Sequence, residues 1–223
     1  MWVSLNEIET TVLKSARGAG YSWGLAEEAA AAARWLAVRG EPWLRPLTHG
    51  VLRQMHRLES IESAVQQGTA IGPSDPTRCL GPVSLLTALG DELITLPHAG
   101  GELSLRSLAA PILIMPTLAR LSKRFDRTLL VRWPSVALEC RAGEIFAAAA
   151  GRGGLDSVAA DWVNLAWATG QSTELAGAST LRHQGAEVDD ALWRQLSEFG
   201  HRNFVAESET ARVRGSGAGL SDQ

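Results

Sequence analysis

The chain has 223 residues, 45% hydrophobic and 20% charged, a balance that supports a soluble globular protein with an ample core. A net charge of −3 argues against a general nucleic-acid binder, and no apolar run approaches the about 18 residues needed to cross a bilayer. The opening Met1-Trp2-Val3-Ser4-Leu5-Asn6-Glu7 lacks the basic and apolar regions of a signal peptide. Cys79 and Cys140 are too few for a disulfide framework or a cysteine-built zinc site, so the expectation is a reducing, cytoplasmic setting with no membrane partner. Arginine outnumbers lysine 19 to 2. GC-rich coding explains that ratio, and so would arginines that grip carboxylates or phosphates bidentately.

The first 64 residues read as a helical layer. Ser4 and Glu7 have the spacing of a capping box, and Leu5, Ile8, Val12 and Ala16 follow on one helical face until Gly18 and Gly20. Ser22 opens a second helix through Leu25, Ala29, Ala32, Ala33 and Leu36, ending at Gly40. A third is predicted from Leu47 to Ala64, with Pro46 near its start and Val51, Met55 and Leu58 inward. Residues 65–82, rich in glycine and proline, read as a loop.

From residue 83 to 205 the pattern changes to an α/β part of the same domain. Leu93–Leu96 and Glu102–Arg106 are predicted strands around a Pro97–Gly101 turn, and Ile112–Met115 a strand buried on both faces. Pro116 starts a helix with Leu118, Leu121 and Phe125 on one side. Leu129–Trp133 and Val136–Arg141 alternate as strands, the second placing Cys140 with Val136 and Leu138 on a core face. Leu155, Val158, Trp162, Leu165 and Thr169 fit one helical face, and Val188, Leu192, Leu196 and Phe199 another. Residues 206–223 form a glycine-rich C-terminal segment, expected to lie against another surface through Val213 and Leu220. The fold class is α+β: a helical N-terminal layer followed by a mixed sheet with covering helices.

Metal, nucleotide and hydrolase signatures are absent: there is no HExxH, CxxC or Walker lysine loop, no G-x-G-x-x-G between a strand and a helix, and no G-x-S-x-G nucleophile elbow at a strand-to-helix turn. His49, His56, His98, His183 and His201 are dispersed, so no metal site is expected, and no cofactor is indicated. Three glycine-bearing segments are candidate anion sites. Arg17, Gly18, Gly20, Trp23 and Gly24 lie at the start of the second helix, where free amides and the helix dipole favour an anion. The alternative there is a plain helix–helix turn with a solvated arginine. Arg152 and Gly153 precede the helix predicted from Leu155. Arg214, Gly215 and Gly217 could fold over a ligand, or form only a tail. Arg120, Lys123, Arg124 and Arg127 read as a solvated helix face, Cys140 as a structural thiol, and Trp23 and Trp133 as the tryptophans to line a pocket.

Two resemblances follow from particular residues. Ser4-Leu5-Asn6-Glu7-Ile8-Glu9, Lys14, Ala16-Arg17-Gly18-Ala19-Gly20, Trp23 to Ala29, Arg34-Trp35-Leu36 and the end from Ser208 to Asp222 resemble a bacterial family of unknown function and similar length. That family implies no activity and no site residues. Arg39-Gly40 and Thr48-His49-Gly50-Val51-Leu52-Arg53 are similar to the N-terminal helices of the type-2 malate/lactate dehydrogenases, which implies His49 as a candidate acid/base. Here Thr48 stands in place of that family's serine, and the chain is about a hundred residues shorter than its members. The sequence therefore supports a protein that binds, or converts, a small anionic metabolite through Arg17 and the glycine segments. A non-catalytic partner subunit of an assembly, such as a homo-oligomer, is the competing expectation.

Overall fold

The computed structural model describes residues 1–97, 100–147, 153–169 and 184–202. Strand β1 (Trp2–Ser4) leads into α1 (Leu5–Ala19), where the Ser4 hydroxyl accepts the Glu7 amide as the capping spacing predicts. The predicted stripe Leu5, Ile8, Val12 and Ala16 is buried. Helix α2 (Trp23–Val38) buries Ala26, Ala29, Ala30, Ala32, Ala33, Leu36 and Ala37. Alanines on so much of its circumference let neighbouring helices approach closely on several sides, and α2 packs against α1 and α3 (Pro82–Gly90). Helix α5 (Asp190–His201) closes the layer on the other side of α1; the buried Ser15 hydroxyl donates to the Leu196 carbonyl at 2.7 Å.

The larger sheet is mixed. It contains β2 (Leu58–Glu59), β3 (Val65–Gln67), β4 (Ala70–Gly72), β5 (Cys79–Leu80), β6 (Glu102–Ala109), β7 (Leu129–Trp133), β8 (Val136–Arg141), β9 (Glu144–Ala147) and β10 (Ala159–Trp167). Its order is β2-β5-β6-β10-β7-β8-β9, with β4 also paired to β6 and β3 to β4. β10 runs antiparallel between β6 and β7, whereas β4 and β5 pair with β6 in parallel. A small second sheet joins β1 to β11 (Gly185–Glu187). Helix α4 (Met115–Arg124) lies over β7, β8 and β9. Helices in front and a mixed sheet behind make this the expected α+β fold. Among the described residues no helix is long and apolar enough to cross a membrane.

Several local expectations fail, each for a physical reason. The helix predicted from Leu155 to Thr169 is instead a turn followed by strand β10. Val163, Leu165 and Trp167 are buried alternately, while Trp162, on the predicted helical stripe, is exposed. Leu165 fits both periods, and pairing with β6 and β7 on both sides decides for the strand. The third helix persists only to Arg57, as a π-helical turn (Pro46–Val51) and a 3₁₀ turn (Leu52–Arg57), before Leu58 enters β2. There Gly50 abuts the strand segment beside it: a Cβ at this position would lie 2.5 Å from the Val158 carbonyl oxygen. Ile112–Met115 is no strand but a buried 3₁₀ turn (Pro111–Ile114) running into α4. A short apolar run serves either geometry equally well. Leu93–Leu96 forms no strand; β6 takes its partners from β4, β5 and β10. The 65–82 stretch, read as a loop, carries the β3–β4 hairpin and β5, and residues 82–90 form a helix that the sequence pattern did not mark. The β3–β4 hairpin turns through Gly68, whose positive φ suits a two-residue connection.

Candidate functional site

The Arg17 segment forms a helix–helix turn. Gly20 caps α1 in the left-handed conformation (φ 110°), its amide donating to the Ala16 and Arg17 carbonyls. The Arg17 guanidinium donates to the Tyr21 carbonyl at 2.6 Å and lies 5.7 Å from the centre of the Trp23 ring. Trp23 is 60% exposed, and its indole N–H donates to Glu27. The structure thus brings Arg17, Gly18, Gly20, Trp23 and Gly24 to one turn, but neither Arg17 nor Trp23 lines the hollows at the ends of α3, α4 and α5. Arg152, Arg214, Gly215 and Gly217 lie outside the described residues. Gly153 leads through a turn into β10, so no helix dipole supports an anion there. Among the described residues no three His, Cys, Asp or Glu side chains gather as a metal-holding group.

The other singled-out residues take structural places. Trp133 is buried, and its indole N–H reaches the Gly154 carbonyl at 3.3 Å, so it belongs to the core rather than a pocket wall. Cys140 is fully buried on β8 facing the core as expected, and burial pushes its thiol well above the usual range. The π-helical His49 pairs through Nε2 with the Gln195 side-chain oxygen at 2.9 Å, tying that turn to α5. Arg39, by contrast, forms a bidentate pair with Glu144 (3.0 and 2.8 Å) while stacked 3.7 Å from the Trp35 ring, pinning α2 to β9.

A mainly apolar concavity lies where α3, α4 and β10 end together. It encloses about 370 Å³ between Leu89 of α3, Ile94 and Leu96 beyond it, Leu121 of α4, and the Phe125–Trp167 pair. Those two rings meet edge to face, centroids 5.8 Å apart. Helix α4 is stopped by a Schellman arrangement: Asp126 sits at positive φ (48°) and donates to Lys123, while the Arg127 amide donates to Ser122. That reversal delivers Arg127 to the groove, its guanidinium 4.7 Å from the centre of the Trp167 ring. Trp167 itself is buried, at the end of β10 and paired with Leu129. Arg127 is half-buried, and among the described residues no carboxylate lies within ion-pair distance of it.

A second, more polar cleft of about 310 Å³ adjoins it between α2, α3 and α4, lined by Glu28, Thr87, Asp91, Arg120 and Arg124. Leu121 borders both hollows, and the Glu92–Arg124 ion pair (2.5 Å) stands between them. The basic face read as solvated is therefore divided: Arg120 and Arg124 line the cleft, and Arg127 lines the apolar groove. Sequence reasoning missed the groove because Phe125 and Arg127 meet Trp167 only through strand register. The aromatic and basic residues flanking the end of the α4 pattern were its only local signal.

Residues 3–67, under a third of the chain, match a family model described as "Protein of unknown function (DUF3726)". No curated protein and no solved structure matches the chain. The likeness to the type-2 malate/lactate dehydrogenases is thus unsupported, and the residues that suggested it lie inside the segment matched by the uncharacterised family. The similarity to that family is found over β1, α1, α2 and the turns to β3; the C-terminal residues 208–222 fall outside the match. Over residues 3–67 the chain is similar to an uncharacterised family, described as a protein of unknown function.

Proposed function

We propose that the protein binds a small organic anion with an apolar body, its carboxylate or equivalent group at Arg127 and its hydrocarbon against Leu89, Ile94, Leu96, Leu121 and Phe125. The observation that carries this reading is Arg127: half-buried, held over Trp167, and without a carboxylate partner among the described residues at the mouth of an apolar groove. A guanidinium fixed by ring stacking keeps its N–H edge available for a bidentate anion. A mainly apolar hollow with few charged groups, here Arg127 and a Glu92 already paired with Arg124, is the usual form of a small-ligand site, and about 370 Å³ is at the lower end of that class. The reading is of binding, and no chemical step is assigned. The free thiols Cys79 and Cys140 support a reducing, cytoplasmic setting.

Thermal unfolding with 3-phenylpropanoate and with its uncharged amide tests the reading. The acid is expected to raise Tm in a saturable way and the amide to have little effect. Equal shifts from both would overturn the role of Arg127, and no shift across a series of aryl and branched alkyl carboxylates would overturn the site.

A second reading makes the same mouth a contact for a partner chain or a second copy of this one. It rests on the exposure of Phe125 (46%), which lines the groove, and of Leu93 (76%), which lies in sequence between the lining residues Glu92 and Ile94. Sedimentation velocity over a hundredfold concentration range checks it: association that Leu93→Ser abolishes would favour this reading.

A further inference from the structure

A separate hollow of about 330 Å³ lies on the opposite flank of the helical layer, bounded by Ala19 at the end of α1, Leu52, Arg53, Met55 and His56 of the 3₁₀ turn, and the end of α5. Side chains three apart on a 3₁₀ helix eclipse one another, so Arg53 and His56 stand on one edge of their turn and face the same space. Arg202 reaches the hollow from the C-cap of α5, its guanidinium 4.4 Å from the Phe199 ring centre. A guanidinium over a ring face can still donate through its N–H edge. Glu198 lines the same hollow, yet it forms no ion pair with Arg53, His56 or Arg202 among the described residues. Three basic side chains from two elements therefore converge against one carboxylate, in a chain whose net charge is −3.

We propose that this hollow is a phosphate site, which takes the phosphate group of a small metabolite between Arg53, His56 and Arg202. A tetrahedral dianion offers acceptors in several directions, enough for two donors on the edge of the 3₁₀ turn and a third from the end of α5, and each charge-assisted bond is roughly twice as strong as a neutral one. Glu198 and the carbonyl end of α5 oppose the anion, which gives the site a signed test. The proposal does not rest on the Arg127 groove: the two hollows share no lining residue.

The test is a titration of the full chain with inorganic phosphate at constant ionic strength, read from the His56 ring signals in ¹H–¹³C NMR spectra. Saturable movement is expected, with the apparent Kd raised at least tenfold by Arg53→Ala and by Arg202→Ala, and lowered severalfold by Glu198→Gln. All three side chains are exposed, so these variants retain the fold, and unchanged thermal unfolding verifies it. Phenyl phosphate is expected to match or exceed inorganic phosphate. Movement that does not saturate, or that chloride reproduces, would overturn the proposal. So would a response to a short single-stranded RNA without any response to phosphate, which would mark a polynucleotide backbone as the ligand.

Discussion

Among the described residues three arginines lie over a tryptophan ring, and two of them, Arg17 and Arg127, do different things. At the α1–α2 turn Arg17 sits 5.7 Å from the Trp23 ring, one of its N–H groups is bonded to the Tyr21 carbonyl, and the ring is exposed. At the end of β10 Arg127 sits 4.7 Å from the Trp167 ring, which is buried and forms one wall of an apolar groove. The first pair closes a turn between consecutive helices, so its geometry is local and visible in the sequence. The second joins a helix terminus to a strand end about forty residues later, and only the sheet register creates it. An arginine beside a glycine at a helix start is a chain-reversal device first. A binding role needs a concavity and a charge that the protein leaves unspent.

The contrast is sharpest in stability. Trp167→Ala is expected to cost about 3–5 kcal/mol, because it empties a buried ring site against Phe125 and Leu129. Trp23→Ala should stay within about 0.5 kcal/mol, the usual range for exposed side chains. Urea denaturation of both variants checks this, and equal losses would remove the distinction between the two pairs.

Ligand response comes next. Arg127→Ala should weaken binding of an aryl carboxylate at least tenfold while changing folding stability by about 1 kcal/mol or less, the loss of one cation–π contact. Arg127→Lys should fall between, because an ammonium keeps the charge but not the planar fork. Isothermal titration separates the three proteins. The smallest effect on binding belongs to Arg17→Ala, which should leave ligand affinity unchanged while costing about 0.5–1.5 kcal/mol of stability through the lost hydrogen bond to Tyr21. A loss of affinity in Arg17→Ala would return the site to the helical turn.

What the sequence made legible follows the same division between local and distant contacts. The Ser4 cap, the α1 stripe, the α4 and α5 patterns and the alternation of β7 and β8 all depend on neighbours within a few residues, and the structure shows each of them. β10 was misread because Leu155, Val158, Trp162 and Leu165 satisfy a helical period, whereas the alternation of Val163, Leu165 and Trp167 gains its weight from β6 and β7. The same long-range pairing assembles the groove. The arginine excess pointed to anion chemistry without saying which arginines carry it. That depends on Asp126 turning the chain at the end of α4, a left-handed position held by a residue other than glycine.

The most direct measurement is ¹⁹F NMR of the protein labelled with 5-fluorotryptophan, the Trp23 and Trp167 signals being assigned from Trp23→Phe and Trp167→Phe. On titration with 3-phenylpropanoate the Trp167 signal should move and saturate while the Trp23 signal stays in place. Movement of Trp23 with Trp167 unaffected would contradict the account and put the ligand at the α1–α2 turn.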